Sequence, residues 1–287
     1  MGKQPAQSCR ACGLNGGRLL FTVSGNRVLR CPECSHVYLD TVHNSQSIRE
    51  MYETYESGRD FYFQDFDAEV TRNIDGYLKR CREYCDVSQD KLRLLDVGCG
   101  VGVLLSKAKA QGFNCEGVEI CEPLARAAEE KLNCRVHRTL LEDLHLPENG
   151  FDIITMYDLI EHLQDPAGEI KRVHRLLRPG GVLFVLTPNN DALMRRFAQW
   201  SYRLSLHQFQ RPMRALYYSH HLSYFTADSL RSLLHRAGLQ VMRSETRNQE
   251  LSRLTLSGFE KAAVRTIFRM SERFPALGGK LLVWARK

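Results

Sequence analysis

The stretch LLDVGCGVG, residues 94–102, constrains this chain more than any other. An apolar run long enough for one buried strand ends in three alternate glycines, Gly98, Gly100 and Gly102, and passes at once into the helical pattern VLLSKAKAQG. So tight a turn between strand and helix needs backbone freedom that glycine gives at least cost. The missing side chains also let a ligand lie against the N–H groups of the helix N-terminus. The alternation continues with NCEGVEI (strand), EPLARAAEEKL (helix), CRVHR (strand), FDIITMYD (strand), PAGEIKRVHRLLRPGG (helix and stop signal) and VLFVLTP (strand). It predicts an α/β fold, a parallel sheet with helices on both faces.

On either side the pattern changes. Residues 43–90 are rich in Tyr, Phe and charge, and from Asp67 the residues Val70, Ile74, Tyr77, Leu78, Cys81 and Tyr84 fall on one helical stripe. After Pro188 a basic and aromatic segment interrupts the alternation. It holds Arg195, Arg196, Arg203, Arg211 and Arg214, with no acidic residue between Asp191 and Asp228. Such a segment is a candidate anion-facing surface. A helix, TADSLRSLLHRAG, then follows with Thr226 or Asp228 as its cap, next a strand LQVMRSET, a helical stretch around residues 256–273 and a last strand KLLVWAR. Three units are expected: residues 1–42, an aromatic linker and lid helix over 43–90, and a main domain over 91–287 with a cap insert at about 190–222.

Four of the ten cysteines form two C-x-x-C knuckles, Cys9/Cys12 and Cys31/Cys34. Two adjacent knuckles offer four thiolates, which closes a tetrahedral shell, so the expected ion is a structural zinc. A segment this short needs the metal to fold. Arg10, Arg27 and Arg30 lie beside the knuckles and would offset the charge of the thiolates.

Three features around the glycine turn narrow its ligand. Asp96 ends the first strand, where a carboxylate suits an ammonium or sulfonium better than a pyrophosphate. The glycine spacing is G-x-G-x-G, unlike the dinucleotide fingerprint. Glu119 ends the second strand, where an acid takes both hydroxyls of a ribose. LEDL then supplies Asp143 and Leu144 after the third strand, beside an adenine amino group.

Together LLDVGCGVG, GVEI, LEDL, FDIITMYDLIEHLQDP and LLRPGGVLFVLTPN resemble, in order, the motifs of class I methyltransferases. The resemblance covers roughly residues 91–245. It implies a Rossmann-like sheet of seven strands with the last one antiparallel. It also implies S-adenosyl-L-methionine (S-adenosylmethionine) as cofactor, the methionine end near Asp96 and Gly98, the ribose on Glu119 and the adenine by Asp143. Tyr157 falls where that family brings substrate and methyl group together.

The acceptor chemistry points to histidines at the carboxyl edge of the sheet. His162 follows the fourth strand, and Tyr218, His220 and His221 lie in YYSHHLSYFT. That segment, with the N-terminal cysteine knuckles, resembles the deoxysugar C-methyltransferases. Tyr218 and His221 fall on that family's catalytic Tyr and His, and His162 on its further active-site His. The chain departs from the motif at Ser219 and His220. An aromatic stretch, MYETYESGRDFYFQDF, would make a lid, with Tyr55 or Tyr62 near the methyl donor.

Composition is ordinary for a globular chain of 287 residues, 43% hydrophobic and 25% charged, with a formal net charge of +7. No apolar run reaches membrane-span length and no signal-peptide core is present, so a cytoplasmic protein is expected. The expected reaction is methyl transfer to an oxygen or carbon of a small polar acceptor, anionic or sugar-containing, or a glycan. An RNA base methyltransferase is the alternative, because zinc ribbons and positive charge also occur there. Against it, MYDLIEH stands where an amino-nitrogen motif is required.

Overall fold

A computed structural model describes residues 8–41, 66–86, 91–206, 208, 210–217, 220–248 and 258–287. In chain order the strands are β1 (Arg18–Val23), β2 (Asn26–Arg30), β3 (Val37–Leu39), β4 (Arg93–Val97), β5 (Asn114–Val118), β6 (Arg135–His137), β7 (Phe151–Tyr157), β8 (Leu177–Pro188), β9 (Ser223–Tyr224), β10 (Gln240–Arg247) and β11 (Lys280–Arg286). The helices are α1 (Phe66–Tyr84), α2 (Val103–Ala110), α3 (Glu122–Leu132), α4 (Pro166–Leu176), α5 (Leu193–Leu204), α6 (Arg211–Leu216), α7 (Ala227–Arg236) and α8 (Gly258–Glu272).

The main sheet has seven strands in the order β10-β11-β8-β7-β4-β5-β6. Strands β8, β7, β4, β5 and β6 run parallel, and β11 is antiparallel to both β8 and β10. This is the class I methyltransferase sheet that the motifs imply. Its strands read as apolar runs because both faces are covered, and alternate side chains go to opposite layers. Leu95, Ile154, Leu183 and Val283 pack with Ile170, Val173, Leu230 and Leu233 of α4 and α7. Leu94, Ile153, Phe184 and Trp284 pack with Ile74, Tyr77, Leu104 and Ala125 of α1, α2 and α3. Helix α1 is therefore a layer of the fold, with the Tyr77 ring 5.2 Å from that of Phe184 and 6.1 Å from that of Trp284. The aromatic stretch ahead of it, with Tyr55 and Tyr62, lies outside the described residues.

Local signals in the sequence account for most element ends. Asp165 caps α4 by accepting the Gly168 N–H at 2.9 Å, with Pro166 in the first turn. Thr226 caps α7 in a reciprocal box: Ser229 N–H donates to Thr226 Oγ1 at 3.1 Å, and Thr226 N–H to Ser229 Oγ at 2.9 Å. The segment LRPGG differs from expectation. Helix α4 stops at Leu176, but β8 begins at Leu177, because Leu177 pairs with Phe151 and the register then shifts until Val182 meets Ile153. No helix among the described residues is long and apolar enough to cross a membrane.

A second sheet, in the order β1-β2-β3-β9, joins the N-terminus to the main domain. Its fourth strand comes from the far end of the cap segment, with Val37 paired to Tyr224 and Tyr38 to Ser223. Phe21, Val23, Val28, Val37 and Leu39 pack against Ala198, Tyr202, Met213 and Tyr217 of α5, α6 and the turn after them. On the other side Cys9, Ala11, Cys31 and Tyr38 are continuous with the core around Phe225 and Leu230.

Candidate functional site

The turn after β4 forms a cradle. Gly98 N–H donates to the Val118 carbonyl at 2.8 Å, which ties the turn to the end of β5. At Gly100, with φ +52°, an added Cβ would meet nothing within 4 Å, so this face of the turn is open. Gly102 has a different reason to be glycine: a Cβ there would come within 2.6 Å of Leu132 and 3.2 Å of Ala128. It lets α2 begin close against α3, the packing role of the last glycine in nucleotide-binding turns.

Two acids flank the cradle. The Glu119 carboxylate accepts N–H groups from Gly100 at 2.9 Å and Cys121 at 2.8 Å, one on each oxygen. Burial raises its pKa against the pull of those bonds. Asp96 is 2% exposed and accepts the Thr155 hydroxyl at 2.6 Å. Burial pushes it up to about 7, and the nearby Glu119 adds to the rise. Asp143 is exposed at the end of a 3-10 turn, Leu144 is half-buried against the core, and Tyr157 is the half-buried last residue of β7.

The loop after β7 brings histidines to the same edge. A Cβ at Gly98 would touch Leu159 at 3.0 Å, so the cradle abuts the 3-10 turn Ile160–His162. The rings of His162 and His221 lie 4.7 Å apart, edge to face at 75°. His162 Nδ1–H donates to the His220 carbonyl at 2.9 Å, which leaves Nε2 with its lone pair. His221 Nε2 lies 3.9 Å from Glu161 Oε1. Glu161 is 1% exposed; its Oε2 accepts the Thr187 hydroxyl at 2.9 Å, and its Oε1 has no hydrogen-bond partner. Burial holds His162 down to about 4 and His221 well below the usual imidazole value. Glu161 goes the other way, up to about 8, through burial and the charge of Asp158. Donor atoms of Glu161, His162 and His221 all lie within 4.8 Å of one another, near enough to reach one cation. Tyr218 lies outside the described residues.

Sequence reasoning passed over Glu161, although the adjacent acid and histidine of IEH carry the signal. It also passed over what is particular to Arg195, which is 5% exposed. Its guanidinium stacks over Tyr217 at 4.8 Å and Tyr224 at 5.1 Å, and its Nη1 has no hydrogen-bond partner. Elsewhere in the basic segment, Arg196 pairs with Asp191 at 3.2 Å and Arg214 bonds Gln210 at 2.9 Å.

The four N-terminal thiols converge. Cys9 and Cys34 sulfurs are 3.6 Å apart, Cys12 and Cys31 sulfurs 3.5 Å, and all four lie within 4.8 Å of one another. Sulfurs at about 2.3 Å from a tetrahedral zinc stand about 3.8 Å apart, whereas a disulfide needs about 2.05 Å, so the donor set fits zinc. The expected charge neighbours are only partly there. Arg27 pairs with Asp40 at 2.8 Å, and Arg10 donates to the carbonyls of Gln164 and Thr41.

Comparison with known proteins bears on the fold and the family. Residues 66–244 match a family described as a methyltransferase domain. A ubiquinone biosynthesis O-methyltransferase of Pseudomonas aeruginosa is 35% identical over 112 residues, 37% of this chain and 48% of that protein. One of Ruegeria pomeroyi is 30% identical over 182 residues, 60% of this chain and 68% of that protein. Thus the chain spans about half the length of the first curated relatives it matches. Among solved structures, a Burkholderia thailandensis 1,6-didemethyltoxoflavin-N1-methyltransferase with bound S-adenosylhomocysteine has a TM-score of 0.56 at 16% identity, covering 94% of this chain and 98% of that one. An S-adenosylmethionine-dependent methyltransferase of Mesorhizobium loti has a TM-score of 0.51 at 21% identity, covering 75% of this chain and all of that one. By its matched sequence and its sheet, the chain belongs to the methyltransferase-domain family.

Proposed function

We propose that this chain methylates a hydroxyl oxygen of a small acceptor bearing an anionic group, with S-adenosylmethionine as donor. Bound at the cradle, the donor supplies an electrophilic methyl on a sulfonium. The residues present fit it. Gly100 opens a face of the turn, and Glu119 keeps lone pairs for hydroxyls after taking its two N–H groups. Asp96, raised by burial, gains from a nearby cation. Asp143 and Leu144 would border the adenine, and Tyr157 the space between methyl group and acceptor.

The observation that carries the reading is the pair of half-buried His162 and buried His221 beside that cradle. Alignment of reactants accounts for roughly 7–11 kcal/mol of a methyl transfer, and a positioned base for about another 10²–10⁴-fold. Burial keeps both imidazoles neutral at neutral pH, able to accept the hydroxyl proton as the oxygen attacks. His221 is the favoured acceptor of that proton: Glu161 Oε1 stands 3.9 Å from its Nε2, and an imidazolium there would draw Glu161, otherwise held neutral by burial, toward its carboxylate. Arg195 supports an anionic acceptor. A buried guanidinium with an unbonded Nη1 and no carboxylate partner among the described residues is costly, and an acceptor carboxylate or phosphate offsets it. The four thiols hold one structural zinc.

One observation favours a second reading of the pair. Glu161, His162 and His221 present one carboxylate and two imidazoles within 4.8 Å, a donor set that suits a divalent ion with open positions for an acceptor hydroxyl. Activity that falls on mild chelation while the thiol-bound zinc is retained, and returns with added Mg²⁺ or Mn²⁺, supports the ion; activity indifferent to such chelation leaves the imidazole as base.

The deciding experiment is a radiolabelled methyl-transfer screen over hydroxylated aromatic acids, nucleotide sugars, glycans and RNA. Label on small anionic hydroxyl compounds is expected. Label on RNA alone, or no calorimetric binding of S-adenosylmethionine, overturns the reading.

A further inference from the structure

The histidine pair is assembled from two segments far apart in the chain, and the N-terminal module grips both. On one side Arg10, between Cys9 and Cys12, donates from Nη1 to the Gln164 carbonyl at 2.6 Å, two residues after His162. From Nη2 it donates to the Thr41 carbonyl, which anchors it within its own module. On the other side β3 pairs with β9, directly after His221 and Leu222. Leu39 N–H donates to the Leu222 carbonyl at 3.0 Å, and Leu222 N–H to the Glu161 carbonyl at 2.8 Å. His36 Nε2 lies 3.2 Å from Ser223 Oγ in a fully buried contact. The His162 Nδ1–H bond to the His220 carbonyl closes the ring. The module is therefore hydrogen-bonded to both segments, through Arg10 at Gln164, two residues past one histidine, and through β3 at Leu222, next to the other.

Arg10 itself is 7% exposed. Burying a guanidinium is expensive unless its donors are used. A residue serving only the fold of the knuckle would spend them inside it, whereas this one spends its 2.6 Å bond on the active-site loop. We propose that Arg10 is a positioning residue for methyl transfer: it fixes the Ile160–His162 turn against the His220–Tyr224 segment, so that the thiol module sets the geometry of the acceptor pair and not that of the cofactor cradle. The inference rests on the reading that this pair faces the acceptor. It gives the N-terminal module a part in turnover, beyond that of a separately folded appendage.

The test uses the full zinc-loaded chain and Arg10→Met, which keeps the length of the side chain and removes its donors, with Arg10→Lys as the conservative variant. Hydrogen exchange of the His162 Nδ1–H and the Leu222 amide reports the pair without any acceptor. In Arg10→Met both should exchange at least about tenfold faster, while zinc content and the affinity for S-adenosylmethionine stay within about twofold. Arg10→Lys, which restores a donor to the Gln164 carbonyl, should recover most of the protection. Turnover with 3,4-dihydroxybenzoate as probe acceptor, where measurable, should fall in kcat by about tenfold or more. Unchanged exchange in Arg10→Met overturns the proposal. So does exchange that rises only together with loss of cofactor affinity and of thermal stability, since that marks a general structural role. Should Arg10→Met not fold, Arg10→Gln, polar but too short to span the Gln164 and Thr41 carbonyls together, takes its place: the same two exchanges should speed, and no change there overturns the proposal. The double variant His162→Ala with His221→Ala separates the two readings: full turnover in it sinks the acceptor-pair reading, and impaired turnover beside a normal Arg10→Met sinks only the coupling.

Discussion

His162 and His221 meet edge to face, ring centroids 4.7 Å apart, although one follows a core strand and the other ends the cap segment. Both are neutral at neutral pH because burial opposes their protonation. His221→Ala should cut turnover by at least about 10²-fold and leave cofactor affinity nearly unchanged, as steady-state kinetics and calorimetry would show. A rise in acceptor KM alone would make His221 a binding residue; no change in either parameter would leave His162 as the base.

The cradle makes a sharper claim at Gly100 than at Gly102. An added Cβ at Gly100 meets open space within the protein, so Gly100→Val should fold, at a cost of about 1–2 kcal/mol for its left-handed backbone, yet lose binding of S-adenosylmethionine. Gly102→Val should instead lower the melting temperature, because Leu132 stands in the way. Glu119→Ala should weaken cofactor binding by about 1–3 kcal/mol. Calorimetry beside thermal denaturation checks all three.

Asp96 gives a proton-linked signature. Its folded pKa of about 7 lies above the ordinary carboxylate value, so the folded chain binds the extra proton. The associated stability is present below the ordinary value and is lost as pH rises through about 7. Asp96→Asn should therefore be more stable than the parent protein at pH values above that point. A cationic ligand favours the carboxylate, so binding of S-adenosylmethionine at slightly acidic pH should release a proton. Calorimetry in buffers of different ionisation enthalpy measures the release, which should vanish in Asp96→Asn.

For the thiol cluster the expected stoichiometry is one zinc per chain, lost in Cys31→Ser. Because Cys9, Cys31 and Tyr38 share a core with Phe225 and Leu230, loss of the metal should loosen more than residues 8–41. Amide exchange should rise at Ser223 and Tyr224 too, while β4 and β7 stay protected. Loosening confined to the knuckles would contradict the shared core.

Much of the main sheet was legible because its signals are local. KLLVWAR forms β11 over Lys280–Arg286, and Thr226 forms the cap expected of it or of Asp228. The stripe beginning near Asp67 is α1. The rest needed contacts that periodicity does not carry. Strand β9 is two residues long, too short to show alternation, and its partner lies at the other end of the chain. Nothing local marks Glu161 as buried, and Arg10, expected to offset the thiolates, is enclosed with its donors on the Gln164 and Thr41 carbonyls. The strand-like state of Leu177 came from its pairing with Phe151, which overrides the turn chemistry of Pro179 and its glycines.

The sheet β1-β2-β3-β9 also sets an order of events during synthesis. Residues 8–41 leave the ribosome before their fourth strand, at 223–224, has been made. The knuckles can capture an ion early, since all four thiols sit in that first segment. The open edge of β3 must wait for most of the parallel sheet to be translated, exposed meanwhile to pairing with other chains. With the proposed zinc captured early, the half-finished hairpin would be protected, and closure of β3 onto β9 becomes a late step that registers completion of the domain behind it.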